Sequence, residues 1–235
     1  MDTIQGALEQ AITAFTGSEV RVQGSGRTDT GVHALGQAAA FHIADRLDVG
    51  KASASLNALL PAGISVTGMA RVGEGLDPRR DALWREYRYF ILNRKAPSPV
   101  LDPYSHHVSG ALDREAMSRA CDALVGEHDF SAFRVKGGSE DSKVRIVIAS
   151  DMTEPFADLL CIRVRATAFL YRMVRIIAGA VKDVGCGRMD LEALSGHLAG
   201  AGRPCADPLP AQGLFLWQVA YPEGTFVVER GANPA

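Results

Sequence analysis

Along the first sixteen residues, Ile4, Leu8, Ala11, Ile12 and Phe15 recur at steps of three and four, with Asp2 or Thr3 placed to cap the start and Gly17 to end it. That spacing predicts an amphipathic helix over 3–16. Val20 and Val22, flanking Arg21, predict a short strand. The polar stretch Gly24-Ser25-Gly26-Arg27-Thr28-Asp29-Thr30-Gly31 predicts a loop of the kind that carries function. A strand over 34–43, a helix over 52–60 and a strand over 64–72 follow, with Pro61 and Gly63 between the last two. From Leu83 to Leu92 the chain alternates: Arg85, Tyr87, Tyr89 and Ile91 share one strand face, and Trp84, Glu86, Arg88 and Phe90 share the other. The prolines of 93–103 mark a crossing, and 113–124 reads as a helix. Strands over 144–152 and 159–166, a helix over 169–184, a helix opened by Asp190 and a strand over 214–221 complete the pattern. Helices and strands mix without a strict β-α-β rhythm, which indicates an α+β fold with antiparallel sheets. The expected organisation is an N-terminal half over 1–95, a connection over 96–103, a C-terminal half over 104–228 and a frayed tail over 229–235.

Composition narrows the class. With 235 residues, 47% hydrophobic and 22% charged, the chain lies far from disordered compositions and is long enough to bury a core without disulfides or metals. Cys121, Cys161, Cys186 and Cys205 stand singly, with no C-x-x-C and no nearby His pair, so they suggest reduced thiols in a cytoplasmic protein. No apolar run approaches the ~20 residues that span a bilayer, and the first residues lack the basic-then-apolar order of a signal peptide, so no membrane association is expected. Lys and Arg number 25 against 27 Asp and Glu, a net charge of −2. A polyanionic partner would therefore have to be met by a local basic surface.

The glycine loop holds the candidate chemistry. As a phosphate cradle, Gly24 and Gly26 would open G-x-G-x-x-G, but the sixth position is Asp29, whose charge repels a pyrophosphate, and no helix pattern follows directly. As the Asp-Thr-Gly of an aspartic protease, residues 29–31 would need a second copy from a homodimer. They also follow polar residues where such enzymes have an apolar strand. As a tight turn, Asp29 would bond its own backbone and glycine would supply positive φ.

The longer stretch Gly26-Arg27-Thr28-Asp29-Thr30-Gly31-Val32-His33-Ala34 resembles the signature loop of the tRNA pseudouridine-38-40 synthases, the TruA family. The resemblance extends in order through Arg85-Glu86-Tyr87-Arg88-Tyr89, Glu127-His128-Asp129-Phe130-Ser131-Ala132-Phe133, Phe169-Leu170-Tyr171-Arg172-Met173-Val174-Arg175 and Ala211-Gln212-Gly213-Leu214. It implies two ferredoxin-like half-domains whose antiparallel sheets join into one larger sheet, with an active-site cleft between them. It also implies an isomerase that converts uridine to pseudouridine at positions 38, 39 and 40 of the tRNA anticodon stem-loop, with no cofactor and no metal. By the same resemblance, the partners are tRNA and a second copy of the chain in a homodimer.

Residue by residue, Asp29 resembles the family's essential carboxylate, and the residue type suits the reaction. Breaking an N-glycosidic bond develops positive charge on the sugar, which a carboxylate can stabilise or capture. Arg27 resembles the arginine that extrudes the base, Tyr87 the tyrosine that stacks on the target uracil, and Arg175 the arginine that pairs with the carboxylate and favours its charged form. Within 169–184, Leu170, Val174, Ile177 and Val181 form an apolar stripe, while Arg172, Arg175, Gly179 and Lys182 form a polar one with a glycine gap. Arg172 and Lys182 read as its solvent face. Together with Arg27, Arg85, Arg88 and Arg175 they are the candidate basic surface. His33, His106 and His107 lack metal-ligand spacing and read as structural or solvent-facing. The family's first strand, with its Asp-Gly-Thr and Gly-Trp-Gln pattern, precedes the helix at which this sequence begins. The expectation is a sheet with exposed apolar surface and unpaired backbone, and the alternative function is a catalytically idle RNA-binding protein.

Overall fold

The computed structural model describes residues 3–43, 47–135, 142–200 and 204–226, so the predicted tail from Glu229 lies outside the described residues. The chain falls into two compact units, Met1–Arg27 with Ala38–Ala82 and Tyr221–Ala235 in one, and Thr28–Gln37 with Leu83–Ala220 in the other.

In the first unit, α1 (Ile4–Thr16) starts where the Thr3 hydroxyl accepts from the Gly6 N–H and ends at Gly17, whose φ of 73° lets its N–H return to the Thr13 carbonyl. The predicted strand at Val20–Val22 does not form, because the Val22 N–H is taken by the Glu9 carboxylate at 3.0 Å. β1 (Gln23–Gly24) begins one residue later. The predicted strand over 34–43 is split into β2 (His33–Ala34) and β3 (Ala39–Ala40), which join different sheets: β3 pairs antiparallel with β1, and β2 belongs to the second unit. The break falls near Gly36, where a side chain would collide with the Trp217 backbone. Asp48 caps α2 (Val49–Leu59). The predicted strand over 64–72 is absent because the Asn57 side-chain amide of α2 satisfies both Val66 backbone groups, at 2.7 and 2.9 Å, in place of a neighbouring strand. Ala11, Ile12, Val22, Leu56 and Leu60 form this unit's core.

The second unit is built on β4 (Trp84–Asn93), which supplies the alternation expected of it: Tyr89 and Ile91 are fully buried on one face. The remaining elements are β5 (His106–Val108), α3 (Arg114–Ala123), β6 (Gly126–Asp129), β7 (Val144–Phe156), β8 (Leu159–Ala166), α4 (Met173–Gly185), α5 (Leu191–Leu198) and β9 (Leu214–Ala220). Asp113 and Asp190 cap α3 and α5 through their carboxylates, as their positions in the sequence suggest. The seven-stranded sheet runs β2-β9-β4-β8-β7-β6, with β5 beside β4. Strands from both sides of the 96–103 connection therefore share one larger sheet in an α+β fold, as expected. Its central path is antiparallel, while β2 with β9 and β5 with β4 are parallel pairs, so the sheet is mixed.

Helix α4 lies in the core of this unit, with Met173, Val174, Ile176, Ile177, Ala180, Val181 and Val184 buried. It starts four residues later than the apolar stripe predicts, because Arg172 takes left-handed backbone angles (φ 60°, ψ 13°) that no helix can continue. The stripe read from sequence as its solvent face is largely enclosed: Gly179 is buried, and the Lys182 side chain is 17% exposed and paired with Asp183 at 3.2 Å.

Candidate active site

The signature loop presents Asp29 from a tight turn in which the Val32 N–H donates to the Asp29 carbonyl at 3.1 Å and Gly31 has φ 85°. A side chain at Gly31 would be strained, so the turn accounts for that glycine. The turn and the candidate carboxylate are therefore one feature rather than competing readings.

Asp29 meets α4 at its first turn. Arg175 Nη1 donates to Asp29 Oδ2 at 2.6 Å, while Arg172 Nε lies 3.4 Å from the same oxygen. Arg175 is fixed from behind: its Nε donates to the Leu209 carbonyl at 2.7 Å, and the Leu209 N–H donates to the Arg175 carbonyl at 3.1 Å. The segment carrying Leu209 is held in turn by close approaches. Its Asp207 carbonyl sits where a Cβ on Gly179 would be, its Pro210 carbonyl accepts from the buried Tyr89 hydroxyl at 2.8 Å, and its Gly213 lies against the Tyr89 ring. The Cys205 N–H donates to the Ala132 carbonyl at 2.8 Å. The Glu127–Phe133 motif, with Phe130 and Phe133 fully buried, thus anchors the far end of the same segment. Among the described residues no group donates to Asp29 Oδ1.

Tyr87 stands edge-on to Phe169 at 5.0 Å. Burial pushes its phenol up to about 12, with the Arg85 charge opposing and the Asp29 charge adding to the rise, so the ring is a neutral stacking surface at ordinary pH. Arg85 shares this face, is 8% exposed and donates to the Thr167 carbonyl at 3.1 Å. Arg88 points to the opposite face of β4, where it pairs with Glu86 at 2.9 Å and lies 3.9 Å over the Trp217 ring. Strand alternation therefore removes Arg88 from any basic surface shared with Tyr87. Arg27 is exposed and is the last residue of the first unit's opening segment, two residues before Asp29 in the chain.

His33 donates through Nε2 to the Pro103 carbonyl at 2.8 Å and stacks on Phe215. His107 bonds the Arg94 carbonyl at 2.7 Å. Burial, with Lys182 and His107 nearby, holds His106 below the usual histidine value. Among the described residues no cluster of three or more His, Cys, Asp or Glu could hold a metal ion, and no helix is long and apolar enough to cross a membrane. Sequence reasoning missed Arg172, whose approach to Asp29 depends on a backbone conformation that no spacing reveals. It also left unused the glycine gap at 179, which was a readable sign that another segment presses on α4.

The sheet and its turn-borne carboxylate define an α+β protein in which Asp29 is paired with an arginine of a buried helix. The chain belongs to the tRNA pseudouridine synthase family, whose model matches residues 1–78 and 120–222. It is 40% identical over 220 residues to the tRNA pseudouridine synthase A of Geotalea daltonii, covering 93% of this chain and 90% of that protein. The synthases of the same name from Caldicellulosiruptor saccharolyticus and Brevibacillus brevis are 39% and 38% identical, with the same coverage.

Proposed function

We propose that this protein isomerises uridine to pseudouridine in tRNA, at positions 38, 39 and 40 of the anticodon stem-loop. The Asp29–Arg175 contact at 2.6 Å is the observation that carries the reading, because an arginine bonded to one oxygen favours the charged carboxylate that the reaction needs. In the reaction the N1–C1′ bond breaks and a C5–C1′ bond forms, while C5 loses a proton and N1 gains one. Atoms and electrons balance without a redox partner or co-substrate, so a cofactor-free site suffices. Asp29 stabilises or captures the sugar as positive charge develops at C1′. Arg175 holds the carboxylate in place, Tyr87 stacks on the uracil, and Arg27 assists extrusion of the base.

In this reading the N-terminal half, 1–95, supplies the Asp29 loop and Tyr87. The C-terminal half, 104–228, supplies the Arg175 helix. The protein acts in the cytoplasm as a homodimer that binds tRNA. The alternative, an idle RNA binder, has no observation in its favour. Incubating the purified chain with transcribed tRNA decides between them: an enzyme converts uridine to pseudouridine, whereas an idle binder retards the RNA on a gel and leaves every uridine unchanged.

A further inference from the structure

Two arginines face one carboxylate at this site, and only Arg175 is hydrogen-bonded to it. Arg175 uses Nη1 on Asp29 and Nε on Leu209, and its side chain is 13% exposed. Arg172 approaches the same Oδ2 atom, but at 3.4 Å, with that oxygen already occupied by Arg175. Its Nε is shielded from solvent and has no hydrogen-bond partner, and its side chain, 35% exposed, makes no hydrogen bond among the described residues. Its guanidinium carbon lies 5.0 Å over the Tyr171 ring, a contact that orients the plane without using a donor. Two positive charges against one negative leave an uncompensated cation beside the carboxylate. The backbone supports the same conclusion: Arg172 occupies the cap position of α4 in left-handed geometry yet provides no side-chain cap. Its carbonyl accepts from the Ile176 N–H at 3.2 Å, so the backbone of Arg172 serves the helix while its side chain has no capping role.

We propose that Arg172 is a substrate-binding residue whose guanidinium takes a backbone phosphate of the target RNA strand next to the nucleotide that Asp29 attacks. The proposal rests on the tRNA-modifying reading above and extends it to a second role on the same helix turn. A planar fork of N–H donors matches a phosphate in geometry and charge. The RNA phosphate takes the Nη donors, which are not shielded as Nε is, and balances the excess positive charge while Nε stays turned toward Asp29. Arg175 cannot do this without giving up both Asp29 and Leu209. Arg172 gives up no hydrogen bond.

Arg172→Asn is the informative variant, because asparagine tolerates left-handed backbone angles. Arg172→Gly, which is unstrained there, is the second variant if the first fails to fold. Binding of transcribed tRNA is measured across a salt series, with KM and kcat measured for the same variants. Removing one phosphate contact should lower the magnitude of the log–log salt slope by roughly 0.7 to 0.9. The accompanying loss should fall on KM, roughly 3- to 10-fold, rather than on kcat. A salt slope equal to that of the wild type overturns the proposal, as does a loss confined to kcat. Arg119→Gln, which removes a positive charge from α3, should leave the slope unchanged, and an equal drop there would assign the effect to net charge and overturn the proposal as well. Failure of the wild type to form pseudouridine would instead strike the functional reading, since the slope is read from binding alone.

Discussion

Arg175 reaches across 146 positions of sequence to place Nη1 2.6 Å from Asp29 Oδ2, and the same guanidinium donates backwards to the Leu209 carbonyl at 2.7 Å. One planar group thus ties a surface turn to a buried helix and to the segment lying across that helix. A fork with fixed angles holds both acceptors in one plane, a geometry that a rotatable ammonium does not fix. Arg175→Lys is therefore expected to keep the fold and the charge yet lower single-turnover pseudouridine formation by about 10²-fold, comparable to removing one preorganised donor from a reacting centre. Wild-type rates in the lysine variant would show that charge alone, and not the fork, is what the site requires.

Replacing Asp29 with Asn preserves shape and removes the negative charge. Product formation is expected to fall by at least ~10³-fold, because the group that meets the sugar carbon is lost rather than displaced. Thermal melting and tRNA retention should stay near wild type. Product accumulation at a near-normal rate would remove Asp29 from its assigned role.

Tyr87→Leu tests stacking separately from charge. Affinity for the target loop should weaken by about 1 to 3 kcal/mol while the salt slope stays that of the wild type. Because the phenol of Tyr87 is pushed up to about 12 by burial, a Tyr87→Phe variant should show the same pH–rate profile as the wild type between about pH 6 and 10. A limb in that range that disappears with the hydroxyl would give Tyr87 a proton-transfer role.

The close approaches at Gly179 and Gly213 make a stability prediction. A methyl at Gly179 would meet the Asp207 carbonyl, and one at Gly213 would press on the Tyr89 ring. Each alanine variant should lose about 1 to 3 kcal/mol through overpacking, a drop of roughly 2–4 °C in Tm per kcal/mol for a chain of this size. Activity should fall further than stability in Gly179→Ala, since the displaced segment carries the Leu209 carbonyl that orients Arg175. Unchanged melting would mean that the segment moves aside freely.

Glu86 is 1% exposed on the sheet face opposite Tyr87, and it receives Arg165 at 2.7 Å and Arg88 at 2.9 Å. Burial pushes its carboxyl up, but the hydrogen bonds and charges of Arg165 and Arg88 outweigh this and leave it below the usual glutamate value. A depressed carboxylate contributes stability that is fully present above the unfolded value, near pH ~4.3, and is lost as pH falls through the folded value. Arg165 and Arg88 have side chains 28% and 30% exposed, so Glu86→Gln should cost about 1–3 kcal/mol at neutral pH through the loss of charged hydrogen bonds. The variant's melting temperature should also fall less steeply than that of the wild type below about pH 4. Parallel acid profiles would show that the pair contributes nothing to the pH dependence.

Local features were legible in the sequence for a simple reason: helix caps, strand alternation and turns are decided by residues a few positions apart. Thr3, Asp113 and Asp190 cap their helices where the pattern places them, and β4 presents Tyr87, Tyr89 and Arg85 on one face as its period of two requires. The strand expected over 64–72 failed because the Asn57 side chain, nine residues earlier on α2, satisfies the Val66 backbone in place of a strand, a pairing that hydrophobic periodicity does not encode. The strand expected over 34–43 failed because its two ends pair with different sheets. The second cause lies in the pairings with β1 and β9, the latter some 180 residues away in the chain, which no local window contains.

By itself the sequence determined the α+β class, the family and the presence of one carboxylate on a glycine-dependent turn, because each is carried by contiguous residues. The tertiary structure alone decided which arginine engages that carboxylate. On helical periodicity Arg172 and Arg175 are equivalent neighbours of one stripe. They part company because the Leu209 carbonyl, 34 positions further along the chain, fixes one guanidinium, while left-handed backbone angles bring the other near the same oxygen with its Nε unbonded. The directions of hydrogen bonds to distant backbone, which no residue type encodes, make that difference.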